Sequence, residues 1–228
     1  MSGWSKVTIA GASSLVALGA TPSWAQGVTQ GMGQNTVHST KTKHKGDAKK
    51  SINPSKSMLS KDDQRAVKQI EAALAAKDYA AATTAIAAAS AQAETNEERY
   101  TYATLQLRLG TETNNEALQD QAIDAAIASG LAPAALLPEL YRRQGVAAIL
   151  ASDYGKAEGA LSKLLELTPD DADSVVLLAE TKNRANKPAE ALPLLEKAIA
   201  LETAASQPVP AEWTRAISVI KAKMQVKR

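Results

Sequence analysis

Apolar residues recur at intervals of three and four positions from residue 61 to the end of the chain, which is the spacing of amphipathic helices. Val67, Ile70 and Leu74 show this spacing in the first segment. Polar turns, glycines and prolines separate the segments, so the pattern predicts an all-α protein. The predicted helices span about 61–76, 80–91, 97–109 and 115–128, continue around Tyr141, Leu161 and Val175, and finish with about 188–201 and 211–226.

Several helix boundaries carry their own signal. Ser60, followed by Asp63 three residues later, is typical of a helix start, and Asp171 is a preferred residue for capping the helix that follows it. Gly110 is predicted to end the third helix as a C-cap. Pro193 removes a backbone donor inside the eighth helix and predicts a kink or a late helix start there.

Two segments 34 residues apart are near duplicates. The first begins at Asp153-Tyr154-Gly155-Lys156-Ala157, the second at Lys187-Pro188-Ala189-Glu190-Ala191, and apolar residues follow both at matching distances. A period of about 34 residues is expected of helix–turn–helix solenoid repeats. Such repeats stack so that each helix pair covers the apolar face of its neighbour. The period therefore predicts an α-solenoid.

The repeated positions resemble those of tetratricopeptide repeats. In that family, positions 4, 8, 20, 24, 27 and 32 carry large, small, Ala, bulky, small or apolar, and Pro residues. With position 1 at Pro138, these positions hold Tyr141, Gly145, Ala157, Leu161, Leu164 and Pro169. With position 1 at Ala172, they hold Val175, Ala179, Ala191, Leu195, Ala198 and Thr203, so the second unit departs from the family by lacking the proline.

The resemblance is strong over residues 138–205 and weak over residues 62–130. Ala82 is interpreted as position 20 of an earlier unit and Ala117 as that of another, which implies an insertion of about six residues near 131–137. The resemblance implies a right-handed α-solenoid of antiparallel helix pairs. Its clearest repeats are 138–171 and 172–205, and the segment 211–226, which includes Trp213, is expected to cap the last open face.

The resemblance also implies a peptide groove along the first helices of the units, at family positions 5, 9, 12 and 13. For any one of these residues, an ordinary solvated or packing role is the commoner one. Val146 stands where members that clamp a C-terminal carboxylate have Asn, so a mixed apolar and polar groove is expected. The groove residues carried over are Tyr102, Gln106, Arg142, Val146, Ile149, Leu150, Val176, Glu180, Asn183 and Arg184.

The N-terminal 25 residues have the three parts of a secretory signal peptide: a positive start, an apolar run over 7–20, and the small-x-small exit Ser23-Trp24-Ala25. The run is shorter than the roughly 20 residues that span a bilayer. We therefore expect cleavage after Ala25 and a periplasmic or secreted protein without a transmembrane segment. The complete absence of cysteine excludes disulfides and favours a bacterial periplasm over a small secreted module.

Charge is distributed unevenly along the rest of the chain. Residues 26–61 contain seven lysines and one aspartate, a net charge of +6, whereas residues 62–228 have a net charge of −5. Residues 26–60 lack apolar periodicity and are predicted to be a disordered basic linker before a helical repeat domain at 61–228. The linker either contacts an anionic envelope surface or serves as a solvated tether, and charge runs more often do the latter.

No catalytic or cofactor motif is recognisable in the sequence. His38 and His44 lack carboxylate neighbours for a metal site, and the basic linker lacks the aromatic residues that stack on nucleic-acid bases. We therefore expect a non-enzymatic adaptor that binds a protein or peptide, with no cofactor, metal or nucleic acid. The alternative is an envelope-associated structural protein that binds anionic cell-wall polymer or membrane through the linker.

Overall fold

The structure, a computed structural model, describes residues 59–226, and every regular element in this range is a helix. The expected all-α class is confirmed. The expected signal peptide and nearly all of the basic linker lie outside the described residues. The helices are α1 (Lys61–Ala75), α2 (Tyr79–Gln92), α3 (Asn96–Glu112), α4 (Glu116–Ser129), α5 (Leu137–Leu150), α6 (Tyr154–Leu167), α7 (Ala172–Arg184), α8 (Pro188–Ala204) and α9 (Ala211–Val226).

Eight of these helices form four hairpin pairs, α1/α2, α3/α4, α5/α6 and α7/α8, and α9 packs on α8. Each pair packs against the next, as expected for an α-solenoid. Trp213 of α9 is buried with Val175 and Ala198, and Ile220 is buried with Leu195. The predicted role of the last helix as a cap on the final pair is therefore confirmed.

The same turn joins the two helices of every pair. Lys77, Asn114, Ser152 and Asn186 all have a left-handed backbone, with φ of 57°, 51°, 60° and 59°. In each case the next residue's N–H bonds to the carbonyl five positions earlier, at 2.8–2.9 Å. This is the Schellman helix ending. These left-handed residues mark equivalent points in the four pairs, and the steps between them are 37, 38 and 34 residues.

The repeated turn corrects the predicted alignment of the second pair. Gly110 does not end its helix: α3 continues to Glu112, and Gly110 is buried inside it. A Cβ on Gly110 would lie 2.9 Å from Cγ of Gln119, so a close helix crossing, rather than a cap, requires glycine here. Five residues after the left-handed residue, the other three pairs have a buried alanine, whereas this pair has Gln119. The predicted Ala117 is exposed. The residues in excess of the 34-residue period are therefore divided between the first two steps, of 37 and 38 residues, and do not form one insertion near 131–137.

Other predicted boundaries agree with the structure. The hydroxyl of Ser60 accepts from the Asp63 N–H at 3.1 Å, and the Asp171 carboxylate accepts from the Ser174 N–H, so both residues cap helices as predicted. At Pro193, the prediction of a late helix start is wrong, because α8 begins at Pro188 and continues through Pro193. Pro188 occupies the first turn, where its missing N–H costs nothing.

Successive first helices approach each other at two of the three junctions between pairs. Among the described helices, α1 packs on α3 and α5 packs on α7, whereas α3 and α5 do not pack to that extent, and neither do successive second helices. The exposed faces of the first helices α1, α3, α5 and α7 are called here the first-helix surface.

Candidate binding surface

The left-handed residues place equivalent side chains on the first-helix surface. Six and two residues before them stand Arg108 and Glu112 in α3, Val146 and Leu150 in α5, and Glu180 and Arg184 in α7. The two positions are four residues apart and therefore share one face of their helix. The first helices of three successive pairs thus carry matched pairs of side chains at equivalent positions.

The two outer pairs are ion pairs that point in opposite directions along their helices. Arg108 Nε lies 2.7 Å from Glu112 Oε1 in α3, and an Arg184 guanidinium nitrogen lies 2.6 Å from Glu180 Oε1 in α7. Ion pairs of this i,i+4 kind contribute only about 0.3–0.5 kcal/mol to stability. Their larger effect is that each of the two helices carries no net charge at these two positions.

The middle pair is apolar. Val146 is half-buried, and Leu150 is 70% exposed, the greatest exposure among the large apolar side chains of residues 59–226. Single exposed leucines are common on protein surfaces. Here, however, Leu150 and Val146 form an apolar strip one helical turn long. The first helices of the preceding and following pairs, α3 and α7, carry an ion pair at the same positions. This arrangement gives the first-helix surface a defined chemical pattern.

Arg142 bridges two pairs and does not stand free in a groove. Its guanidinium makes an ion pair with Asp171, the residue that caps α7. Burial raises the pKa of Asp171, but the hydrogen bond from Ser174 and the charge of Arg142 outweigh that effect and hold the pKa below its ordinary value. Arg142 therefore fastens α5 to the start of α7.

Several other predicted groove residues pack inside the protein. Tyr102 is 1% exposed, and its hydroxyl donates to Asp63 of α1 at 2.7 Å. Ile149 is 2% exposed in the α5/α6 core. Val176 is half-buried and packs on the two apolar clusters that include Trp213 and Ile220 of α9. Tyr102 and Ile149 are therefore corrected from groove surface to core, and Val176 is a packing residue at the cap.

The remaining predicted residues divide between surface and helix packing. Gln106 Nε2 donates to Gln121 Oε1 at 3.4 Å, so Gln106 faces α4, the partner of its own helix. Asn183 is half-buried near the end of α7. Val146 and Glu180 are half-buried, and Leu150 and Arg184 are exposed, on the first-helix surface; whether they bind a peptide stays a prediction.

Sequence reasoning missed Arg108 and Glu112. With Ala117 at position 20, position 1 of the second unit falls at Glu98, two residues too early, so Tyr102 and Gln106 stand as the equivalents of Arg142 and Val146. The signal that identifies them is Asn114-Asn115, which aligns with Ser152-Asp153 at the next turn. Asn tolerates the left-handed conformation and also caps helices, so this dipeptide is a better marker than an alanine in an alanine-rich chain.

A second charged cluster lies away from the first-helix surface. Glu158 of α6 accepts from Lys182 of α7 and from Lys187 at 3.0 Å, and Lys182 also bonds Glu190 at 2.7 Å. The Lys182 hydrogen bond, then that of Lys187, lowers the pKa of Glu158 below its ordinary value. The cluster links the third and fourth pairs through charges that are all matched.

No other site competes with this surface within residues 59–226. This part of the chain contains no group of three metal-ligating side chains. A groove of about 190 Å³ between α1 and α2 is open to solvent and is lined by alanine and glutamine alone, including Ala66, Gln69 and Gln92. No described helix is long and apolar enough to cross a bilayer.

The described helices form an all-α solenoid of stacked helix pairs. The apolar strip of Val146 and Leu150 lies on α5, the first helix of the third pair. No protein-family model matches the sequence, and no curated protein matches it either.

Proposed function

We propose that this protein is a non-enzymatic adaptor of the tetratricopeptide-repeat type, which binds a protein or peptide on its first-helix surface in the periplasm. The observation that carries the proposal is the apolar strip of half-buried Val146 and exposed Leu150 on α5, at positions where the first helices of the preceding and following pairs carry ion pairs. Apolar side chains in the centre of a surface patch, with polar groups around them, are the usual composition of a protein-binding site.

The tetratricopeptide type is supported by packing at its characteristic positions. A Cβ on Gly145 would lie 2.8 Å from Leu161, so the small residue at position 8 permits the close approach of α5 and α6. Ala157, Leu161 and Leu164 are buried in the same core. The repeated hairpins and the cap formed by α9 agree with this type as well.

Partner chemistry follows from the pairing of charges. Arg108, Arg142 and Arg184 each hold an acidic partner within the protein, so a ligand carboxylate would have to displace it. A peptide that places an apolar side chain on Leu150 requires no such exchange. The partner is therefore a segment with an exposed apolar residue, rather than one recognised by its terminal carboxylate.

Site-specific photo-crosslinking tests this surface. A photoreactive amino acid is placed at Leu150 in the full chain and, as a control, at Gly159, an exposed position of α6 with open space around its Cβ. Crosslinking in the native periplasm should give a discrete adduct from position 150 and none from position 159. Equal adducts from both positions would refute binding on the first-helix surface. An adduct from a photoreactive residue on another surface, with none from position 150, would refute it as well.

A matched pair of variants tests the contribution of the strip. Leu150 and Leu167 are both exposed leucines near helix ends, but Leu167 belongs to α6, a second helix. Leu150→Glu should abolish recovery of the crosslinked partner, and Leu167→Glu should leave it unchanged. The Arg142 variants suggested by the family positions are unsuitable here, because they would also break the ion pair with Asp171.

Export and the basic linker have separate tests. N-terminal sequencing of the periplasmic protein should start at Gln26. A protein that keeps residues 1–25 and stays in the cytoplasm would contradict export.

The charge of +6 on residues 26–61, beside −5 on residues 62–228, favours a second candidate function, binding to an anionic envelope surface. Co-sedimentation with cell-wall sacculi at low salt should then require residues 26–60, and equal binding without them would eliminate that function.

A further inference from the structure

The seam between the second and third helix pairs is the least extensive of the three seams between pairs. At the first seam α3 packs on both α1 and α2, and at the third α7 packs on both α5 and α6. At the middle seam, among residues 59–226, only α4 and α5 pack to that extent. The backbones of the two halves therefore approach closely along one pair of helices, α4 and α5.

One buried position at the middle seam holds a small side chain. Twelve residues after the left-handed residue, Leu164 packs with Leu178 at the third seam, whereas the equivalent residue at the middle seam is Ala126. An alanine removes much less apolar area from water than a leucine. The connection at this seam, residues 130–136, is also the longest between successive described helices, and it begins at Gly130, with φ of 70°.

Asp124 is the principal link across this seam. One of its carboxylate oxygens accepts from Gln144 Nε2 of α5 at 2.8 Å, and the other pairs with Lys156 of α6. Arg143 lies 3.6 Å from Asp120 as a second link. All five side chains are partly exposed to solvent, so water can replace these interactions when the seam opens.

We propose that the middle seam is a hinge, at which the α1–α4 half and the α5–α9 half change their relative angle, and that Asp124 is the latch holding it closed. Hinges are formed by a few loop or element-terminal residues between bodies that move as units. Opening changes the distance between Glu112 of α3 and Leu150 of α5. This consequence for binding rests on the proposed function, whereas the hinge itself does not.

Distance measurement between spin labels tests the hinge without a ligand. The chain contains no cysteine, so pairs of cysteines can be introduced at exposed alanines. Ala87→Cys with Ala200→Cys spans the seam, and Ala87→Cys with Ala128→Cys stays within the first half. In the full chain, Asp124→Ala should broaden the distance distribution across the seam or add a second, shifted population, while the distribution within the first half stays unchanged.

Two controls keep the outcome decisive. Glu166→Ala removes an acidic partner from an ion pair inside α6 and should change neither distribution. If Asp124→Ala fails to fold by circular dichroism, raising the salt concentration in the unsubstituted protein serves instead, because screening weakens Asp124–Lys156. An unchanged distribution across the seam overturns the hinge, as does an equal change within the first half. If the distances change as expected but the photoreactive residue at position 150 gives no adduct, the adaptor function is refuted and the hinge stands.

Discussion

At the scale of single residues, two glycines in the same helix pair have opposite environments. Gly145 of α5 faces Leu161 so closely that an added Cβ would lie 2.8 Å from both Cγ and Cδ2 of that leucine. Leu161 is fully buried and cannot move aside into solvent. Gly159 of α6 is exposed, and nothing lies within 4 Å of the position its Cβ would take.

Substituting alanine for these glycines should therefore change stability in opposite directions. Gly159→Ala should raise the free energy of unfolding by about 0.4–1 kcal/mol, because alanine restricts the unfolded chain and fits the helix. Gly145→Ala should lower it by about 1–3 kcal/mol, because the methyl group overpacks the α5/α6 contact. Urea denaturation of both variants measures the difference.

The Leu161→Ala variant is the control for this contact. Alone it should cost about 2–5 kcal/mol through the cavity it leaves. Combined with Gly145→Ala it should cost less than the sum of the two single changes, because the new methyl group enters the space that Leu161 vacates. Additive costs, or a stabilising Gly145→Ala, would show that the two side chains do not meet.

At the scale of helices, the pairs differ in how much apolar surface they bury. Of the 22 residues from Ala72 to Ala93, 13 are alanine, and α2 buries only Ala82 and Ile86. In contrast, α6 buries Leu161 and Leu164 along with two alanines. Alanine favours helix formation, but each buried alanine contributes little apolar area.

Hydrogen exchange should reflect this difference. In a repeat protein, stability is roughly the sum of local terms and contacts with neighbours. The amides of α6 should exchange most slowly, and those of α2 faster, since α2 opens locally at lower cost. Equal protection of α2 and α6, measured by mass spectrometry of peptides from the two helices, would mean that the protein opens only as one cooperative unit.

Helix positions were largely predictable from the sequence, and the alignment between pairs was predictable only in part. Apolar spacing located all nine helices of residues 59–226, because burial on one face requires that spacing. Gly110 was misassigned because a glycine needed for a close crossing looks the same in sequence as one that ends a helix. Arg142 was assigned to the groove from its family position, and its ion pair with Asp171 was not predictable because it joins residues 29 positions apart, which no local pattern encodes.

At the scale of the molecule, polar contacts between pairs make stability depend on pH. Lys182 and Lys187 lower the pKa of Glu158, so the ionised carboxylate favours the folded state. This stabilisation is fully present above the pKa of an unfolded glutamate, about 4.3, and is lost as the pH falls through the lower folded value.

The free energy of unfolding should therefore fall as the pH decreases from 6 to 3, and Glu158→Gln should fall less steeply than the unsubstituted protein. Glu166→Gln, which alters an exposed ion pair within α6, is the control and should retain the original slope. Urea denaturation at a series of pH values measures these slopes. Identical slopes for all three proteins would exclude Glu158 as a contributor.

The central claim is that the left-handed residues at 77, 114, 152 and 186 define equivalent points of four helix pairs. Measurement of backbone φ from NMR couplings and chemical shifts tests it most directly. The account predicts positive φ at Asn114, as at the other three positions, and helical values through Gly110 as far as Glu112. A positive φ at Gly110 with helical values at Asn114 would contradict it, and would remove Arg108 and Glu112 from the level of Val146 and Leu150.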